Sequence, residues 1–319
     1  MLLEYFPARD RLYLFTVTRD KVRMDEVSVS RAQLEGMVRD YVALVREPRS
    51  SLPQLQAASR ELYSLLLGPA APVWTGRSRL RIVASGPLWL VPFAELRDGE
   101  GRSLDEQVEV SLLTSADLLR TLRSGGEGDK GRGGVLLLGA PEGAGLPGAR
   151  RELQSLGELF PESLVLEGGK ATSAALLSQA PKARILHIAS HSSLDQATGS
   201  ASIALADGAF PLSQIYGLSL PPGTMVVLSS CESALGESPP GREVTSLASA
   251  FNIAGASTVI ASQWPVDDEA TRRLFEIMYR RLKAGDSRGQ ALRQARRALA
   301  QEFPHPFYWA AFSLFGSPR

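Results

Sequence analysis

One cysteine, Cys231, and three histidines are all the thiol and imidazole side chains that 319 residues contain. A single thiol excludes an internal disulfide framework, and thiol chemistry fits a reducing compartment. No stretch offers ~18 consecutive apolar residues, and the N-terminus lacks the basic-then-apolar pattern of a secretory signal. The expected location is therefore the cytoplasm, with no membrane partner. Lys and Arg (35) nearly balance Asp and Glu (34), which gives no reason to expect nucleic acid as a partner. A repeat of fixed period is absent, so the chain is not a solenoid. No serine stands in a Gly-x-Ser-x-Gly elbow, which leaves a serine hydrolase without support. What remains is ordinary: 44% hydrophobic and 22% charged residues, a globular composition with ample material for a core.

Apolar periodicity divides the chain at one place. Residues 5–18 read as a strand that returns over 22–27, a hairpin. Ser30 caps a helix, a second helix covers 55–67, and strands follow at 80–84 and 108–113. Ser115 caps a short helix ending near Arg123. Residues 124–134 hold six glycines among charges and nothing to bury, the composition of a flexible linker. The expected units are 1–123, the linker 124–134, and 135–319. Beyond the linker, strands at 135–138, 163–166, 184–189, 225–228 and 258–262 alternate with helices starting near Ala149, Ser173, Val244, Asp267 and Ser287. Residues 203–206 form an inserted strand. Such alternation predicts an α/β fold: a mainly parallel sheet with helices on both faces.

The strand 225–228 is a continuous apolar run that stops at Ser229 and Ser230 and then presents Cys231. The strand 184–189 has the same design and delivers His191. Open α/β sheets place their chemistry just past the carboxyl ends of parallel strands. If these strands are neighbours, Cys231 and His191 converge, and the imidazole can take the proton of a nucleophilic thiol. The competing reading of Cys231 is a buried structural cysteine. His187 lies four residues before His191, but on a strand and with no third ligand it reads as a core histidine, so no metal is expected. His305, between two prolines, reads as a structural turn. Gly143, Gly145 and Gly148 match the dinucleotide fingerprint. Their distance from the strand end and the missing N–H of Pro147 argue against a pyrophosphate site, so no cofactor is expected. Asp267, Asp268 and Glu269 open a helix, where carboxylates cap orphan N–H groups; at the same rim they would also form a cation-selective pocket.

The segments 185–191, 228–232, 251–257, 261–270 and 305–310, together with 146–150, resemble the CHAT domain. That is the caspase-like peptidase domain often attached to tetratricopeptide repeats and related to separase. Residues 12–15 and 90–93 resemble the front of the same domain. The resemblance implies a caspase-like catalytic unit preceded by an N-terminal half like the inactive partner domain of separases. It implies Cys231 as nucleophile, His191 as general base and acid, and the backbone N–H groups of Ser192 and Cys231 as the oxyanion hole. The family usually has glycine at position 192 and an apolar residue at 263, where this chain has Ser192 and Gln263. An acidic residue in the equivalent separase stretch binds an arginine side chain. Cleavage after a basic residue is therefore expected, with Asp268 in direct contact and Asp267 as helix cap. The implied function is a cysteine endopeptidase in a bacterial regulated-proteolysis, defence or cell-death pathway, acting on a protein substrate encoded nearby. Any repeat-bearing sensor would be a separate protein or a segment of the same protein beyond these residues. The loop 236–243, with Arg242, is the expected place for gating or self-processing. The rival readings are a non-catalytic scaffold of the same fold and a nucleotide-binding protein using Gly143–Gly148.

Overall fold

The computed structural model describes residues 1–119, 133–195, 200–229, 236–237 and 245–319. Its strands are β1 (Leu2–Pro7), β2 (Leu12–Val17), β3 (Val22–Val27), β4 (Arg79–Val83), β5 (Glu109–Leu113), β6 (Gly134–Gly139), β7 (Leu164–Glu167) and β8 (Ala183–Ala189). Then come β9 (Ser192–Asp195), β10 (Ser200–Leu205), β11 (Gly208–Pro211), β12 (Met225–Ser229), β13 (Gly236–Glu237), β14 (Thr245–Ser246), β15 (Thr258–Ser262) and β16 (Phe312–Gly316). The longer helices are α1 (Arg31–Arg46), α2 (Leu52–Leu66), α3 (Pro147–Leu159), α4 (Ser173–Gln179), α5 (Leu247–Ile253), α6 (Asp268–Lys283) and α7 (Arg288–Glu302).

Eleven strands make one sheet in the order β3-β2-β1-β4-β5-β16-β15-β12-β8-β6-β7. From β15 to β7 all pairings are parallel, as are those from β1 to β16. The two blocks run in opposite directions because β15 and β16 pair antiparallel. Strands covered on both faces need apolar residues at every position, and β12, β15 and β16 are buried almost throughout. Helix α3 packs on β6, β7 and β8 and against α6, which packs in turn against α7; α5 lies on β15 and β16. At the junction of the blocks Phe315 meets Trp89 with ring centroids 5.1 Å apart, and Phe312 meets Phe275 at 4.8 Å. Ser30 caps α1 as expected, and α7 opens at Ser287, where Ser287 and Gln290 carry the capping-box pattern; both serines close capping boxes.

Three elements differ from the sequence expectation. The segment 5–18 is two strands, because Pro7 ends β1 and a turn closed by Ala8 N–H donating to the Arg11 carbonyl (2.9 Å) reverses the chain. The last strand, β16, follows the turn around His305 and is masked in the sequence by the aromatic run before it. The inserted strand is the centre of a separate three-stranded antiparallel sheet, β11-β10-β9. Most of the expected linker 124–134, namely 124–132, lies outside the described residues. Strands from before and after it share the one sheet, β5 pairing with β16.

Candidate active site

The carboxyl ends of β6, β8 and β12 are level, since Gly139 pairs with Ala189 and Ala189 with Ser229. Gly139 has φ +153, and a Cβ there would overlap the Ala189 carbonyl, so only glycine lets β6 approach β8 this closely. Ala140 follows with φ +43, the one positive φ among the described non-glycine residues; backbone strain of this kind collects at functional rims. In the chain, position 191 lies two residues past Ala189 and position 231 two past Ser229. Cys231 itself lies outside the described residues, as does Arg242.

His191 is exposed at this rim. Its Nε2 stands 3.1 Å from the carbonyl oxygen of Ala144, in the loop that leads into α3. A carbonyl only accepts, so Nε2 carries the proton and Nδ1 of the neutral ring is left as the basic nitrogen. Ser192 opens β9, opposite Ile203 of β10, and its φ is not positive. The departure from glycine therefore costs no left-handed strain.

His187 points into the core and is fully buried. Its Nε2 is 2.6 Å from Oε1 of Glu152 on α3, and its Nδ1 is 3.0 Å from the Tyr279 hydroxyl on α6. The second carboxylate oxygen of Glu152 accepts from the Ser229 hydroxyl at 3.0 Å. Burial and the neighbouring Glu152 push the Tyr279 phenol well above its ordinary range, so it serves as a neutral hydroxyl. No cluster of metal-ligating side chains occurs among the described residues. Removing His187 leaves the buried Glu152 side chain without its closest hydrogen-bond donor. His187→Ala is therefore expected to cost ~3–5 kcal/mol of stability, read from the urea midpoint at constant slope.

Asp267 caps α6, its side chain accepting from the N–H groups of Glu269 (3.0 Å) and Ala270 (2.9 Å). Asp268 is exposed, and its carboxylate lies so close to Gly148, in the first turn of α3, that a Cβ at 148 would overlap it. A carboxylate thus stands where the dinucleotide fingerprint would seat a pyrophosphate, and like charges repel. Gln263 is buried but satisfied: its amide donates to the Trp89 carbonyl (3.0 Å) and accepts from the Ser313 hydroxyl (3.1 Å). His305 is indeed a turn residue, its Nδ1 accepting from Phe307 N–H at 3.1 Å, and burial lowers its pKa. Sequence reasoning missed the Ala144, Glu152 and Gly148 contacts. Glu152 was detectable, because it sits on the apolar stripe of α3 one turn before Leu156.

Residues 56–317 match the CHAT domain. The chain belongs to this family. A human protein, tetratricopeptide repeat protein 28, is 26% identical over 89% of the chain. Its mouse counterpart is 36% identical over 29% of it. The chain spans only 14% and 4% of those relatives. Among solved structures, the Saccharomyces cerevisiae separase–securin complex matches with a TM-score of 0.70 and 10% identity, over 99% of this chain and 30% of that one. The Arg-specific cysteine proteinase gingipain R matches at 0.57 and 13%, over 90% and 75%. The CHAT chain therefore has a caspase-like α/β fold of the cysteine-protease kind, with a large, mostly parallel sheet flanked by helices. Among its described residues no helix is long and apolar enough to cross a membrane.

Proposed function

We propose that this CHAT protein is a cysteine endopeptidase that cleaves a protein substrate after a basic residue. The observation that carries the reading is the His191 ring, whose Nε2 is engaged by the Ala144 carbonyl on the same rim from which β12 leads to Cys231. Nδ1 of His191 takes the thiol proton, and the Cys231 thiolate attacks the scissile carbonyl. The backbone N–H groups of Ser192 and Cys231 hold the oxyanion. His191 then protonates the leaving amine, and water, activated by the same imidazole, releases the acyl group. The Ala144 carbonyl fills the orienting role that a carboxylate has in a triad, so a side-chain dyad suffices. Asp268 receives the basic side chain. Residues 135–319 form the catalytic unit, with 1–123 as its partner half. The substrate is a cytoplasmic protein encoded nearby. The tetratricopeptide repeats named in the mammalian relatives support a repeat-bearing sensor, in a partner or in the same protein, and the reaction belongs to bacterial regulated proteolysis or defence.

A peptidyl chloromethyl ketone ending in arginine tests this directly, since the only thiol in the chain is Cys231. Mass spectrometry should find a single adduct there, and prior labelling should block cleavage of an arginine peptide library. No adduct, or cleavage that survives complete labelling, would overturn the peptidase reading. Ser192→Gly offers a second check. Because β9 is extended at this residue, glycine relieves nothing and adds backbone freedom. Turnover should be kept within about twofold and stability lowered by ~0.5–1 kcal/mol. A large fall in rate would give the serine hydroxyl a role of its own.

A further inference from the structure

The hydrogen-bonded set Tyr279–His187–Glu152–Ser229 is more than a satisfied core. Burying a carboxylate is costly unless it is fully paired, and Glu152 is only 3% exposed. Its partners are placed in a particular way. His187 is on β8, four residues before His191; Ser229 is the last described residue of β12, two before Cys231; α3, which carries Glu152, begins just after Ala144. The parallel register pairs Val227 with His187 and Ser229 with Ala189, so His187 and Ser229 point to the same face, one step apart. One carboxylate therefore grips the ends of both strands that lead to the candidate catalytic side chains. The helix that supplies it also fixes the loop whose carbonyl holds the His191 ring.

The donors assign themselves. Glu152 as a carboxylate only accepts, so Nε2 of His187 and the Ser229 hydroxyl both donate to it. Nδ1 of the neutral His187 ring then accepts from the Tyr279 hydroxyl, and each of the four groups has a partner. Phe275 closes the site with its ring edge-on to His187, centroids 5.3 Å apart. Tyr279, His187 and Glu152 are buried, and Ser229 is half-buried at the strand end.

We infer that Glu152 is a positioning residue, which through Ser229 and His187 holds the exits of β12 and β8 in the register that lets Cys231 meet His191. The inference rests on the peptidase reading, but its test does not. Ser229→Ala removes only the hydroxyl, leaves Glu152 paired with His187, and keeps the strand. With one cysteine in the chain, the rate of iodoacetamide alkylation in the folded protein reports on Cys231 alone, whether or not a peptide is cut. Ser229→Ala is expected to lower alkylation at least fivefold. In cleavage of an arginine peptide it should lower kcat by about tenfold, with KM and melting temperature little changed. Ser229→Thr, which keeps the hydroxyl, should restore most of both rates. Alkylation and kcat within twofold of the parent in Ser229→Ala would overturn the inference. So would a fall that Ser229→Thr fails to rescue. If the parent cuts no peptide while its alkylation still depends on Ser229, the peptidase reading fails and the brace stands. Glu152→Gln adds a stronger version, expected to lower alkylation in the fraction that remains folded by circular dichroism.

Discussion

His191→Ala is expected to lower turnover by about 10³- to 10⁴-fold while leaving the melting temperature almost unchanged. The large effect follows from two roles in one ring. Removing a general base leaves the nucleophile as a neutral thiol, and removing the same group as general acid leaves the amine to depart as an anion; each such role is worth ~10²–10⁴. The small stability effect follows from exposure. His191 sits at the surface, and among the described residues its ring bonds to the Ala144 carbonyl; water replaces that partner at a cost of no more than ~1 kcal/mol. Cys231→Ala should reach the same background rate, and the double variant should be no worse, since residues acting as one unit are not additive. The measurement is kcat on an arginine peptide, with melting followed by circular dichroism. A His191→Ala variant retaining a tenth of parental kcat would remove His191 from the mechanism, and a fully active Cys231→Ala would remove the mechanism itself.

The contrast between the two histidines shows how far the sequence alone could be read. His187 lies inside β8 and His191 two residues past its end, and the end of the apolar run separates a core position from a rim position. His187 is accordingly buried and His191 exposed. Local signals sufficed wherever a residue's role depends on its own strand or helix, as for the Asp267 cap and the Ser287 box. They failed where a role depends on what another element brings. Nothing around Ala144 marks its carbonyl as the partner of a ring 47 residues away. The position of β16 was illegible for the same reason: it lies between β15 and β5 and takes opposite directions against them, which no periodicity encodes. Gly148 was read as one glycine of a nucleotide loop, whereas its lack of a Cβ makes room for Asp268 of α6.

That contact makes substrate preference the most discriminating property to alter. Asp267 spends Oδ1 on capping α6, whereas Asp268, the first residue of the helix, faces solvent with its carboxylate set against the start of α3. A carboxylate presents two oxygens to the two parallel N–H groups of a guanidinium, a match that the ammonium of lysine cannot make. When a peptide covers the rim, the pair loses water and strengthens. Hydrogen bonds to charged groups are worth ~1.5–3 kcal/mol. Asp268→Asn is therefore expected to lower kcat/KM for arginine peptides by about 10- to 100-fold and to erase the advantage of arginine over lysine. Peptides with an uncharged residue at that position should be cut at the parental rate. Gly148→Ala should reproduce the loss without touching a charge, because the new methyl group displaces the Asp268 side chain. It should add little further loss on top of Asp268→Asn, since both act on one contact. Asp267→Ala, by contrast, removes a cap and should cost ~1 kcal/mol of stability. A library profile dominated by aspartate or by apolar residues in the parent would overturn the assignment. Unchanged arginine preference in Asp268→Asn would place the basic pocket on other residues.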